Sequence, residues 1–315
     1  MRATKNKKNK KWLWITLSII GVLVLSTGGY ALYLYTSAAN TIASIQEDIG
    51  RDKSEKRPEK VVHEEKDPIS ILLMGVDERE GDRGRSDSLI LMTVNPTKQT
   101  TQMVSIPRDT RTEIVGKGIQ DKINHAYAFG GTEMAIETVE NFLDIPVDYF
   151  VKINMESFKD TVDSVGGIEV NNNLAFSYGG HDFPEGPVFL DGEKALNFTR
   201  MRYEDPRGDF GRQERQRQVI EGVIQKGANI SSITKFGDMF NVVRDNVKTN
   251  LSLDEMWSVQ ANYKEASKNL EQFQIKGTGD KIDGIYYYIV AEEERLALSN
   301  QLKEHLEMKE NTASN

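Results

Sequence analysis

The sequence predicts a mixed-sheet α/β or α+β sandwich, held outside a membrane by one N-terminal transmembrane helix. Three observations predict it. Residues Trp12 to Tyr35 form an uncharged, largely apolar run of 24 residues. From Pro68 onward, short apolar stretches of strand length alternate with longer helical patterns, and some neighbouring strands are joined by tight turns. The chain has 315 residues, 38% hydrophobic and 28% charged, enough for one large domain or two small ones, and no internal repeat divides it.

The tail of residues 1–11 carries Arg2, Lys5, Lys7, Lys8, Lys10 and Lys11 and no acid. As a helix, the run 12–35 would span about 36 Å, against a hydrocarbon core of roughly 30 Å. Trp12, Trp14, Tyr30, Tyr33 and Tyr35 sit at its ends, where aromatic rings favour the membrane interface. The basic tail places the N-terminus inside and everything after the run outside, a single-pass type II arrangement in the cell membrane. Ser37-Ala38-Ala39 resembles a cleavage site, but the apolar run is longer than the roughly 7–15 residues of a signal peptide, which favours an uncleaved anchor. Residues 36–67, polar and mixed in charge, are expected to continue the helix briefly and then form a solvated linker. The domain is expected over 68–308, with a short tail at 309–315.

Within the domain, Ile69–Val76 (ISILLMGV) and Ser88–Val94 (SLILMTV) are continuous apolar runs, expected as buried strands. Asn95-Pro96 signals a turn into a hairpin partner at 101–106. Helices are expected near 122–143 and 155–165, strands near 148–153 and 168–170. The C-terminal third is expected to be mostly helical (211–227, 231–246, 252–266 and 292–306), with strands near 271–276 and 285–290.

Composition removes several chemistries. With no cysteine there are no disulfides, thiolate metal sites or cysteine nucleophiles. His63, His125, His181 and His305 lack metal-type spacing, and no G-x-x-x-x-G-K-[ST] or G-x-S-x-G motif occurs. His125 is expected to be a helix-start or core histidine. Without its basic tail the chain has 34 Lys+Arg against 48 Asp+Glu, which argues against a nucleic-acid partner. Any anion site must therefore be built locally.

Two segments could build one. In GVDEREGDRGRSDS, Asp77 ends one apolar strand and Asp87 heads the next, so both carboxylates should meet at neighbouring strand ends and could share a divalent cation. Between Arg200 and Arg217 lie six of the chain's 16 arginines and no lysine. Guanidinium grips phosphate bidentately, which ammonium cannot. In the helix from Gly211, Val219, Ile220, Val223 and Ile224 form the buried stripe, and Gln216 and Arg212 continue it toward the N-terminus. Arg200 and Arg202 would share a face if extended. Arg108, in SIPRDTR, adds another guanidinium at a strand end. The alternative is a network of structural ion pairs with Glu204, Asp205, Asp209 and Glu214.

Read in order, GVDER…GRSDSLIL, SIPRDTR, KINHAYAFGG, DYFVKINMESF…VDSVGGIEV and LDGEKALNFTRMR…GDFGRQERQRQVI resemble the LytR-CpsA-Psr family over about residues 70–300. The resemblance implies an α-β-α sandwich with a central mixed sheet flanked by helices. It implies a phosphotransferase that moves an anionic glycopolymer, wall teichoic acid or similar, from undecaprenyl pyrophosphate to a peptidoglycan hydroxyl. Partners would be that lipid-linked glycopolymer, peptidoglycan and the membrane. Asp77 and Asp87 would hold Mg²⁺, with Mn²⁺ the alternative. Arg85, Arg108, Arg200, Arg202, Arg212 and Gln216 would surround the pyrophosphate, and the polyprenyl tail would lie between sheet and helices. Arg85, Arg108, Asp109 and Asp209 are the candidate catalytic residues; Asp77, Asp109 and Asp209 are the candidates for general base. A polyprenyl-pyrophosphate hydrolase and a non-enzymatic wall-polymer receptor are the other functions such a domain could serve.

The topology has a direct test. An enzymatic reporter fused after Asn315 should be active only outside the cytoplasm, and mass analysis should find residues 1–39 retained. A soluble secreted form lacking them would identify a cleaved signal peptide.

Overall fold

Strand-length apolar runs that alternate cleanly between two buried faces call for helices on both sides of one sheet. The structure, a computed structural model, describes residues 33, 35–37, 39–78, 84–154, 157–228 and 247–308. The basic tail, nearly all of the expected anchor, Arg79, Asp82, Arg83, the helix expected at 231–246 and the C-terminal tail lie outside the described residues. No helix among the described residues is long and apolar enough to cross a membrane.

The central sheet has six strands. Its middle is the antiparallel meander β1 (Ile69–Val76), β2 (Ser86–Asn95) and β3 (Thr100–Ile106). Two hairpin-linked pairs are what the Asn95-Pro96 turn and the loop after Val76 predicted. Alternation then sorts the side chains. Leu72, Met74, Val76, Leu89, Leu91, Val104 and Ile106 share one core cluster, and Ile90, Met92 and Met103 another. The hairpin β4 (Arg111–Ile114) and β5 (Ile119–Lys122) follows, and then helix α1 (His125–Leu143), which covers the first face with Ala126, Tyr127, Ile136, Val139 and Leu143.

Strand β6 (Tyr149–Asn154) runs parallel to β1, the crossover being α1. Beyond it lie α2 (Ser157–Ser164), β7 (Ile168–Asn172), the small hairpin β8 (Phe176–Tyr178) and β9 (His181–Phe183), then β10 (Gly186–Leu190), which pairs with β7. Helices α3 (Gly192–Arg200) and α4 (Asp209–Ala228) follow. Helix α4 packs Ile220 and Ile224 against the second face of the sheet and Val219 into a satellite core with Ile168, Phe183 and Phe198. The stripe read from α4 is thus split between two cores. Strand β11 (Val247–Thr249) closes one edge beside β6. Helix α5 (Leu253–Asn262) starts in a full capping box between Ser252 and Glu255. Strand β12 (Leu270–Gln274) closes the other edge, parallel to β3. The hairpin β13 (Thr278–Ile282) and β14 (Ile285–Ile289) and helix α6 (Glu292–His305) complete the first face. The sheet order is β11-β6-β1-β2-β3-β12, a mixed sheet between helical layers.

The expected solvated linker is a correction. Much of residues 39–67 packs onto the domain: Ile42, Ile45 and Ile49 are buried. Ile42 and Ile45 lie three apart on a helix that ends at Ile45, and Ile49 follows in irregular chain, all three masked in sequence by surrounding charge. Those charges have partners distant in sequence. Arg57 reaches Asp148 at 2.7 Å, and Lys152 reaches Glu47 at 2.9 Å. Glu140 is 5% exposed and accepts from Arg51 Nη1 at 2.6 Å, Ser54 Oγ at 2.5 Å and the Val147 N–H at 2.8 Å. A charge run signals solvation only when nothing opposite awaits it, which local sequence does not reveal. The helix expected to reach residue 266 also stops at Asn262, followed by a short 3₁₀ turn at Lys264–Lys268.

Removing one member of a buried pair strands its partner. Glu140→Ala should therefore cost about 3–5 kcal/mol, measured by urea denaturation. A change below about 1 kcal/mol would show that the 39–67 segment does not stay docked.

Candidate active site

The site forms where β1, β2 and β3 end together. The β1–β2 register shifts between Gly75 and Val76, and beyond the shift the Asp77 N–H donates to the Arg85 carbonyl at 3.2 Å. Gly84 holds φ +66, and a Cβ there would lie 2.0 Å from the Asp77 carbonyl oxygen, so the closure requires glycine. Asp77, Arg85 and Asp87 are thereby gathered on one rim. From the end of β3, Arg108 Nη1 donates to Asp87 Oδ1 at 2.9 Å, and its Nε lies 3.9 Å from Asp109. Lys122, at the end of β5, donates to Asp109 at 2.7 Å. These residues, with Asn124 and His125, line one cavity of about 500 Å³. A larger cavity of about 710 Å³ lies between the docked 39–67 segment and the domain, away from these side chains.

The arginine cluster divides into two groups. Arg215 is structural: it donates to Asp205 at 2.6 Å, to the Phe198 carbonyl at 3.0 Å and to the Met201 carbonyl at 2.6 Å. Gly211 makes room for that Asp205 carboxylate, since a Cβ there would approach it to 1.8 Å. Arg217 donates to Ser105 at 2.7 Å and Gln272 at 3.0 Å, tying α4 to the sheet. Arg207 is held by Asp205 and Glu214. The structural ion-pair network therefore exists, but it accounts for only part of the cluster.

Arg212 belongs to the other group. Its Nη2 lies 2.6 Å from Asp209 Oδ1 without hydrogen-bond alignment, and its buried Nε has no partner. Burial lowers its pKa; Asp209 and Asp87 oppose that shift, while nearby Arg108 and Arg202 reinforce it. Arg108 feels burial too, but Asp87, Asp209 and Asp109 outweigh it and raise its pKa. Two guanidiniums near one another, with one donor unspent, have the chemistry to take an anion. Gln216 is buried one turn on and accepts from Ser88 Oγ at 3.1 Å. Beside it an apolar slot of about 80 Å³ opens between sheet and α4, lined by Leu73, Val151, Ile153, Phe158 and Ile220. Among the described residues, the expected lipid tunnel is present only as this slot.

Not every expected residue is equally placed. Asp77, Arg85, Asp87, Arg108 and Asp109 share the cavity; Asp209, Arg212 and Gln216 lie on α4 at its edge. Arg200 is exposed at the last turn of α3, so its expected alternation with Arg202 in an extended segment is corrected: one is helical, the other is in the following loop. Arg202 stacks its guanidinium 5.5 Å above the Tyr203 ring. Asp209 is the first residue of α4, where a carboxylate also suits the helix dipole. Lys122 and Asn124 were missed as site residues. The signal for them was KINHAYAFGG, whose first residues close a hairpin that sequence alone did not suggest. Among the described residues no group of three or more His, Asp or Glu is arranged for a metal. Asp77 and Asp87 nevertheless supply the hard oxygen donors Mg²⁺ uses with substrate phosphate.

Fold and site together define a mixed α/β protein with clustered guanidiniums and carboxylates at one end of its central sheet. The chain belongs to the LytR_cpsA_psr family, whose profile matches residues 32–304. It is 63% identical over 307 residues to the polyisoprenyl-teichoic acid–peptidoglycan teichoic acid transferase TagU of Bacillus subtilis strain 168, covering 98% of this chain and 100% of that one. The Bacillus cereus protein of the same name is 53% identical over 302 residues, covering 96% and 99%. The crystal structure of B. subtilis TagU matches with a TM-score of 0.65 at 61% identity, over 78% of this chain and 99% of that chain. A structure of TagT bound to LIIa-WTA matches with a TM-score of 0.69 at 32% identity, over 81% and 97%.

The division of the arginines is testable by stability alone. Arg215→Ala, which takes the 2.6 Å buried partner from Asp205 and leaves it only the more exposed Arg207, should cost about 3–5 kcal/mol. Arg212→Ala should change stability by less than about 1 kcal/mol, because it removes an incompletely paired cation beside another. Chemical denaturation of both variants decides it, and equal losses would make Arg212 structural.

Proposed function

We propose that the chain is a membrane-anchored phosphotransferase that moves an anionic cell-wall glycopolymer from a polyprenyl pyrophosphate carrier to peptidoglycan. The observation that carries this is the buried, unspent Nε of Arg212 beside Arg108, one helical turn from Gln216, which lines an apolar slot. A pyrophosphate with an apolar tail fits both features. The names of the TagU relatives point to the same reaction.

In this mechanism Asp87 and Asp209 hold the two guanidiniums in place until substrate arrives. The pyrophosphate then takes the donors that these carboxylates occupy, so one anion replaces another and little charge is desolvated anew. Arg85 and Arg202 close around it from the rim. The acceptor oxygen attacks the phosphorus bearing the glycopolymer, the bond from that phosphorus to the bridging oxygen breaks, and polyprenyl monophosphate leaves. The acceptor proton passes to a base. Positioning and charge neutralisation carry most of such a transfer. Asp77 and Asp87 would hold Mg²⁺, which when bound neutralises charge on the phosphates. The membrane anchor keeps the domain within reach of a substrate that cannot leave the bilayer.

Purified chain, lipid-linked polymer and peptidoglycan should yield polymer joined through a phosphodiester plus polyprenyl monophosphate. Free polymer phosphate without conjugate would identify a hydrolase, and no turnover a receptor. Asp77→Ala and Asp87→Ala should each raise the Mg²⁺ concentration needed for half-maximal turnover by about tenfold or more, taking a charged contact as about 1.5–3 kcal/mol. Unchanged metal dependence in both would remove the metal role.

A further inference from the structure

We propose that His125, oriented by Asp121, is the general base that takes the acceptor hydroxyl's proton; this rests on the phosphotransfer function above. His125 opens α1 and lines the cavity that also holds Asp77, Asp87 and Arg108. Its Nδ1 lies 2.8 Å from Asp121 Oδ2, and its Nε2 has no hydrogen-bond partner among the described residues. Asp121 is itself fixed by the Lys122 N–H at 2.8 Å and the Tyr287 hydroxyl at 3.5 Å. Burial raises the Asp121 pKa, but the bonds from His125, Lys122 and Tyr287 outweigh it and keep the carboxyl below its ordinary value. A carboxylate on Nδ1 holds the proton there and leaves Nε2 as the acceptor, the arrangement a general base needs.

Of the other candidates, Asp77 is assigned to the metal, and Asp109 and Asp209 face cations rather than an acceptor. Asp109 is bonded to Lys122 at 2.7 Å with Arg108 3.9 Å away. Asp209 is held by Arg212 and accepts from Gln213 at 2.9 Å.

Topology puts His125 on the correct side. The apolar slot, where the lipid phosphate must leave, lies on the α4 face of the sheet, while α1 covers the opposite face. In-line displacement requires nucleophile and leaving group on opposite sides of the phosphorus. The acceptor oxygen therefore approaches from the α1 side, loses its proton to His125 Nε2 as its bond to phosphorus forms, and the imidazolium returns that proton to water. The charged groups around His125 are Asp121 and Lys122 on β5, Asp109 after β3, Tyr287 on β14, and Asp77, Arg85, Asp87 and Arg108 across the cavity. Lys117 lies 5.6 Å from the ring of Phe129, which meets the imidazole edge-on.

The test is transfer by the full chain from lipid-linked polymer to a soluble peptidoglycan fragment, followed against pH. His125→Ala should lower kcat by about 10²–10⁴-fold, leave KM for the lipid substrate within twofold, and abolish the fall in rate toward acid pH. Added imidazole should restore part of the rate. Asp121→Ala should lower kcat less, again with KM unchanged, as a positioning residue. Inorganic pyrophosphate binding should be equal in all three proteins. Wild-type transfer with a His125→Ala rate within twofold, or a slow variant that imidazole does not rescue and whose pH profile is unchanged, overturns the assignment to His125 alone. If wild type transfers nothing, the assignment falls with the function it rests on.

Discussion

Arg108 and Arg212 stand near one another at the open end of the sheet, and the protein supplies too few well-aligned acceptors to satisfy both. Asp87 meets Arg108 at 2.9 Å, while Asp209 lies close to Arg212 but out of hydrogen-bond alignment. Like charges in a part-buried site repel strongly, and a buried N–H without a partner costs about 1–3 kcal/mol. The folded chain carries that deficit, and the shape of the site follows from it. On the proposed function, an incoming diphosphate would satisfy at once what the carboxylates satisfy in part.

The fold exists to hold that deficit still. Arg215 and Arg217 lock α4 to the loop before it and to the sheet beneath, so Arg212, one turn away on the same helix, cannot withdraw into solvent. Gly84 pulls the β1–β2 loop tight against Asp77, and the β1–β2–β3 meander brings Asp87 and Arg108 to the same end. The α-β-α layering separates two openings, an apolar one under α4 and a polar one beside the start of α1.

Much of this was legible in sequence where a signal is local. The apolar runs at Ile69–Val76 and Ser88–Val94 became central strands because continuous burial needs no long-range information. The arginine cluster was legible as a cluster, but not its division. Arg215 is buried and Arg212 half-buried on the same helix, and only tertiary structure shows that Asp205 waits for one and nothing fully waits for the other. The docked 39–67 segment was hidden for the same reason: Arg51 and Arg57 look solvated until Glu140 and Asp148 arrive from about 90 residues away. Lys122 and Asn124 escaped notice because the β4–β5 hairpin that delivers them is short and mostly polar.

The central claim is that the two guanidiniums await a diphosphate. Its most direct measurement is calorimetric titration of inorganic pyrophosphate into the wild-type chain and into its Arg108→Ala and Arg212→Ala variants at fixed ionic strength. At about 1.5–3 kcal/mol per charged contact, each variant should bind at least about tenfold more weakly while its melting temperature holds. Binding unchanged in both variants, or lost only together with the fold, would contradict the account.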